Sequence, residues 1–171
     1  GARVRALDAA MRVQCLRAHE ALGEQGLRVL AVAWRRVPVQ ARYAATDESD
    51  LILAGFLAFA DPIAPDVAGA LAALAADGVA VKVLSGDNER VARHVCAQAG
   101  IDVENTVLGS EIDDLSETAL GILAERTAVF ARVSPAQKHR ILLALKARGH
   151  VIGFLGDGIN DAPSLHAVDV G

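Results

Sequence analysis

TAVFARVSPAQKHRILLALKARGHVIGFLGDGINDAP, residues 127–163, changes its apolar period twice. TAVFARV is a short β-branched and aromatic run suited to a strand. SPAQKHRILLALKARG then follows helix rules: Ser134 and Gln137 stand at capping-box spacing, Pro135 occupies the first turn, Ile141, Leu142 and Leu145 turn inward, and Gly149 ends the helix. HVIGFL, residues 150–155, returns to strand character. A strand, a helix and a strand of these lengths imply a crossover connection, and so a parallel sheet.

The same alternation extends upstream. PDVAGALAALAADG places Val67, Leu71 and Leu74 at helical spacing and stops at Gly78; VAVKVL, 79–84, reads as a buried strand; NERVARHVCAQAG repeats the helix with Val91, Val95 and Ala99 and closes at Gly100. Residues 61–171 are therefore expected to be α/β, a Rossmann-like doubly wound parallel sheet that takes ligands at the carboxyl ends of its strands. Residues 1–60 read differently. A helix over about 7–22, with Met11 and Cys15 inward, leads through Gly26 into LRVLAVAWRRV, an acidic loop, and LILAGFLAF. That is part of an antiparallel α+β unit whose three elements make a thin core, so it is expected to be incomplete or to lean on a neighbour, with the boundary near Asp61-Pro62.

Composition narrows the function classes. The chain has 171 residues, 53% of them apolar, and a net charge of −4, a globular rather than disordered profile. The longest apolar run, LILAGFLAFA at 51–60, falls short of the roughly 18 residues of a membrane span. Cys15 and Cys96 lie far apart without CxxC spacing, which argues against a zinc site or disulfide framework and for a reducing, cytosolic compartment. With mild acidity and no basic run longer than KHR at 138–140, nucleic acid is not an expected partner. The N-terminus lacks both methionine and a signal-peptide core, so the chain reads as a soluble piece of something longer.

Three strand ends carry polar groups that packing does not require. In VLSGDN, Ser85 offers a hydroxyl, Gly86 lets a ligand approach the backbone, and a helix opening at Asp87 or Asn88 presents N–H groups suited to phosphate; helix capping by Ser85 or Asp87 is the plainer alternative. Lys138 stands in a first helical turn, where the dipole disfavours a cation, and Arg132 adds a second cation at the preceding strand end. Both are otherwise ordinary surface charges. Finally, HVIGFL runs into Gly156-Asp157-Gly158, and Asp161 can cap a helix that starts at Ala162-Pro163. Capping leaves Asp157 unexplained, whereas Mg²⁺ takes carboxylate oxygens together with phosphate; Asn160 adds a neutral hydrogen-bonding group. GDGIND lacks the third glycine of a dinucleotide fingerprint. A hydroxyl, a lysine and a diacid at one sheet edge point to Mg²⁺-dependent phosphoryl transfer.

GDGINDAP, SGDN, the lysine of SPAQK and the DP at 61–62 together resemble the cytoplasmic catalytic region of P-type ATPases, cation pumps of the haloacid dehalogenase superfamily. The resemblance spans nearly the whole chain. It implies that residues 61–171 are a phosphorylation domain lacking its first, DKTGT-bearing strand, and residues 1–60 the C-terminal part of a nucleotide-binding domain. It further implies that Asp157 binds Mg²⁺ with Asp161 in support, that Asn160 lies near the phosphoryl group, and that Ser85 and Gly86 hold phosphoryl oxygens. Lys138 would neutralise the transferring group, with Asp87, Arg132 and Arg28, in GLRVLAVA, on the nucleotide side. The implied cofactors are Mg²⁺ and ATP. The implied partners are a transported cation and the actuator and membrane domains of the same polypeptide, at the cytoplasmic face of the cell membrane.

Some positions depart from the family pattern. Ser85 replaces the usual threonine and keeps the hydroxyl; Ala64 stands where many members carry a cation; VDVG replaces ADVG. DKTGT is absent, and Asp61, followed by Pro62-Ile63-Ala64, is no substitute, so this chain alone is not expected to form a phosphoenzyme. GHVIGFLGDGINDAP, with Leu155 before GDG, and VKVLSGDN, with Cys96 and Gly100 in CxxxG spacing, look closest to bacterial magnesium-transporting members, which implies Mg²⁺ import. The rival expectations are a soluble phosphatase of the same superfamily and a non-catalytic module that binds nucleotide or Mg²⁺.

Overall fold

The computed structural model of the chain describes residues 4–39, 41–156 and 162–171. It divides into two compact units, Gly1–Asp61 and Pro62–Gly171. No helix among the described residues is long and apolar enough to cross a membrane.

In the first unit, Asp8 caps α1 (Ala9–Glu24) by accepting the Met11 N–H at 2.7 Å. Met11, Cys15, His19 and Leu22 form its half-buried stripe, a spacing of three to four residues that keeps them on one face. Gly26, at φ 76°, turns the chain into β1 (Arg28–Trp34), which pairs antiparallel with β2 (Ile52–Phe59). The His19 and Phe56 rings lie 6.1 Å apart, so the stripe meets the sheet there. A single helix covers a single face. On the other, Leu30, Val32, Leu57 and Phe59 remain 38–54% exposed, and no large side chain of this unit is fully buried among the described residues. The thin core expected of three elements is what forms.

The second unit is built on a parallel sheet of β3 (Val83–Leu84), β4 (Val107–Leu108) and β5 (Val129–Ala131) in the order β3-β5-β4. The central strand is completely buried, and its alternation divides the core. Phe130 points into a cluster with Ile112, Leu120, Ala124, Ile141 and Leu145, supplied by α4 (Gly109–Ile112), α5 (Glu117–Arg126) and α6 (Pro135–Ala147). Val129 and Ala131 meet Ala92 and Cys96 of α3 (Glu89–Gln98) on the opposite face. A sheet covered on both sides is the expected α/β, doubly wound arrangement. Burying a side chain such as Phe130 contributes about 1.5–3 kcal/mol. The capping box of α6 forms as the sequence requires, and Ile141, Leu142 and Leu145 are buried.

Several expectations need correction. VAVKVL supplies only the two residues Val83–Leu84 to the sheet, because the partner of this edge strand, β5, is itself only three residues long. Just before it, Lys82 Nζ donates to the Glu125 and Thr127 carbonyls at 3.0 and 2.8 Å, at the carboxyl end of α5. HVIGFL does not form a strand of this sheet. Its polar backbone is taken by the returning chain: Ile152 N–H donates to the Asp169 carboxylate at 2.9 Å, Phe154 N–H to the Val170 carbonyl at 2.9 Å, and only a bridge between Gly153 and Val170 results. Lys146 holds the other Asp169 oxygen at 2.9 Å. In α2 (Val67–Ala76), Val67 and Leu71 are half-buried but Leu74 is exposed. Beyond any expectation, residues 101–126 supply β4, α4 and α5. The last described helix, α7, is Ala162–Ala167.

Glu125 fastens α5 to the end of α6. Its Oε1 accepts from Arg148 Nε at 2.6 Å and His150 Nε2 at 2.8 Å. The Arg148 hydrogen bond first, then that of His150, pull its carboxyl from 4.5 to about 2. A carboxyl depressed in the folded state stabilises above its unfolded value and loses that contribution as protons return. The melting temperature of the chain is therefore expected to exceed that of Glu125→Gln at about pH 5, with the gap closing towards about pH 2. A gap independent of pH across that range would contradict this account.

Candidate functional site

The carboxyl ends of β3 and β5 are joined by backbone. Ser85 N–H donates to the Phe130 carbonyl at 2.8 Å, Val133 N–H to the Ser85 carbonyl at 3.0 Å, and Arg132 N–H to the Asp87 carbonyl at 2.9 Å. Arg132 makes its bond from a left-handed backbone, φ 54°, which costs a non-glycine residue roughly 1–2 kcal/mol. The two flanking hydrogen bonds hold it there. Arg132 itself is exposed.

Within the β3 loop, Asp87 N–H donates to Ser85 Oγ at 3.1 Å, and the Ser85 hydroxyl donates to Asp87 Oδ2 at 3.3 Å. Neither residue caps α3. Asn88 does so, accepting the Val91 N–H at 3.1 Å, which removes capping as the reason for Ser85 and Asp87. Gly86 has no structural requirement either. Its φ is not positive, it is exposed, and an added Cβ would meet only the Val133 carbonyl at 3.7 Å, an ordinary contact. A glycine that neither conformation nor packing demands leaves the backbone open to an incoming group.

Beside this edge, α6 begins. Ser134 Oγ accepts the Gln137 N–H at 3.2 Å, Gln137 Oε1 accepts the Ser134 N–H at 2.8 Å, and Lys138 N–H donates to the Ser134 carbonyl at 2.9 Å. Lys138 is half-buried in the first turn, directly downstream of the Arg132-Val133 end of β5. Ser85, Gly86, Asp87, Arg132 and Lys138 thus belong to one sheet edge. Arg28 opens β1 in the other unit and is exposed. Asp157, Asn160 and Asp161 lie outside the described residues.

A hydroxyl, an open glycine and two cations are suited to a phosphate. The one carboxylate among them, Asp87, is a hard donor compatible with Mg²⁺ beside a phosphate, but no three His, Cys, Asp or Glu residues gather into a metal site among the described residues.

Sequence reasoning missed Gly109 and Gln137's second task. A Cβ on Gly109 would overlap the Arg132 carbonyl oxygen and lie 2.7 Å from Gln137 Oε1, so this glycine is required by packing. The available signal was VLGS at 107–110, a second strand-end glycine resembling VLSG at 83–86. The two glycines should consequently part company in urea unfolding. Gly86→Ala is expected to change stability by no more than about 0.5 kcal/mol, and Gly109→Ala to lower it by about 1–3 kcal/mol. Equal effects would refute the distinction.

A family model described as haloacid dehalogenase-like hydrolase matches residues 9–169. The chain is 50% identical over 166 residues to the magnesium-transporting ATPase, P-type 1, of Salmonella typhimurium, covering 96% of this chain and 18% of that protein. The Escherichia coli K12 protein of the same name gives the same identity and coverage, 50%, 96% and 18%. Calcium-transporting ATPase 1 of Bacillus cereus is 33% identical over 171 residues, covering 99% of this chain and 19% of that protein. The chain thus spans about a fifth of the length of these curated relatives.

Proposed function

Because the chain belongs to the haloacid dehalogenase-like hydrolase family, we propose that it is part of the catalytic region of a P-type cation-transporting ATPase, at the cytoplasmic face of the membrane, that couples ATP hydrolysis through an aspartyl phosphate to Mg²⁺ import. The observation that supports the reading is the backbone pairing of the Ser85-Gly86 loop with the Arg132-Val133 end of β5, from which α6 and Lys138 directly follow. Phosphoryl transfer demands mainly positioning and charge neutralisation, and that edge offers both. The greater identity to magnesium-transporting ATPases, 50% against 33% for the calcium-transporting relative, favours Mg²⁺ as the transported ion.

In this reading, residues 61–171 form the phosphorylation domain without its DKTGT strand, and residues 1–60 the C-terminal part of the nucleotide-binding domain. The Ser85 hydroxyl and the Gly86 backbone orient the phosphoryl oxygens, and the Lys138 ammonium offsets their charge. Asp87, Arg132 and Arg28 serve the nucleotide. Asp157 and Asp161 hold Mg²⁺, with Asn160 beside the phosphoryl group. Bound Mg²⁺ supplies neutralisation of the phosphate charge. The membrane helices of the whole protein supply the transport path, and its actuator domain is a further partner.

Incubating the whole protein with γ-labelled ATP and Mg²⁺ is expected to give an acid-stable, hydroxylamine-labile acyl phosphate, reduced at least about 100-fold by Lys138→Ala or Asp157→Asn. The 171-residue chain alone is expected to give none. An acyl phosphate on the isolated chain would overturn the assignment of the nucleophile to a segment outside it, and its absence from the whole protein would overturn the ATPase reading. Cellular uptake that follows another cation and is indifferent to Mg²⁺ would reject the ion.

A further inference from the structure

We propose that Gln137 is a positioning residue for Lys138, tying the first turn of α6 to the carboxyl end of β4. The inference rests on the phosphoryl-binding reading of Lys138. Gln137 uses both ends of its amide. Oε1 accepts the Ser134 N–H at 2.8 Å, while Nε2 donates to the Gly109 carbonyl at 3.0 Å and to Asp113 Oδ1 at 2.5 Å. The amide orientation is fixed by its neighbours, since Ser134 offers an N–H there and Gly109 and Asp113 offer only oxygens.

Capping alone does not explain this residue. A capping box is completed equally well by Glu, and a carboxylate is better matched to the positive end of the helix dipole. Of the two, only Gln can complete the box and also donate to Gly109 and Asp113. The room for the amide is made by the missing side chain at 109, where a Cβ would lie 2.7 Å from Oε1. The acceptors are themselves held. Leu108 pairs with Ala131 of β5, and Arg140, one turn further along α6, donates to the Ile112, Asp113 and Leu115 carbonyls and pairs with Glu117 at 2.6 Å. Residue 137 is thereby fixed against the same sheet that presents Ser85. Lys138 is the next residue, bonded through its N–H to the Ser134 carbonyl at 2.9 Å, so a rotation of this turn carries the ammonium with it. Displacement of a phosphoryl-neutralising cation by about 1 Å costs rate rather than substrate binding.

The test is ATP hydrolysis by the whole protein. Gln137→Ala is expected to lower kcat about tenfold while KM for ATP stays within about twofold. Gln137→Glu keeps the capping box but sets a carboxylate against Asp113, and a similar fall is expected. Combining Gln137→Glu with Asp113→Asn returns a donor to the pair from the opposite side and should recover kcat to within about threefold of the parent. This paired exchange decides the matter even if Gln137→Ala does not fold. An unchanged kcat in Gln137→Glu, a rise in KM that accounts for the loss, or no recovery in the paired exchange would overturn the proposal. Lys138→Ala separates the two levels. Hydrolysis that survives it removes the phosphoryl reading of Lys138, whereas hydrolysis lost there but kept in both Gln137 variants removes the positioning inference alone.

Discussion

The hydrogen bonds from Arg132 and Val133 N–H to the Asp87 and Ser85 carbonyls, at 2.9 and 3.0 Å, close the end of a sheet whose strands are only two or three residues long. Ladders this short position little by themselves. The two bonds extend the β3–β5 pairing beyond its last regular residue and bring the hydroxyl loop of one strand to the start of the helix that follows the other. Without them, the Ser85 loop and the first turn of α6 would be linked only through the two-residue ladder and the Ser85 N–H bond to the Phe130 carbonyl. The buried central strand then fixes that frame against helices on both faces, through Phe130 on one side and Val129 and Ala131 on the other.

Polar groups secure the second half of the edge. Gln137 and Arg140 spend their donors on carbonyls and carboxylates of residues 109–117, converting a long connection into a fixed wall. Such side-chain bonds are individually modest, about 0.5–1.5 kcal/mol each, but they are directional and most cross between elements. Hydrophobic burial accounts for the fold, and these contacts for its geometry at the strand ends.

Much of this was legible in the sequence because its signals are local. The box of Ser134 and Gln137, the inward Ile141, Leu142 and Leu145, and the α/β alternation depend on spacing along a few turns. Strand extent was not legible. VAVKVL and HVIGFL have strand composition throughout, yet the first is limited by a three-residue partner and the second gives its backbone to Asp169 and Val170, facts of tertiary pairing that no local window contains. Ser85 and Asp87 were the caps that the sequence suggested for α3, and the strand–helix geometry instead gave that task to Asn88, an equally competent side chain. Gly109 escaped notice for the same reason, since its requirement comes from the Arg132 carbonyl, 23 residues away in sequence.

Arg132 separates what a residue does for the fold from what it does beyond it. Its left-handed backbone would be met with less strain by glycine or asparagine, and its exposed side chain lends the core no buried surface. By stability alone, arginine is a poor occupant of this position. Glycine here would release that strain while giving up no buried surface, so the end of β5 holds a conformational tension that the packing of the sheet does not require.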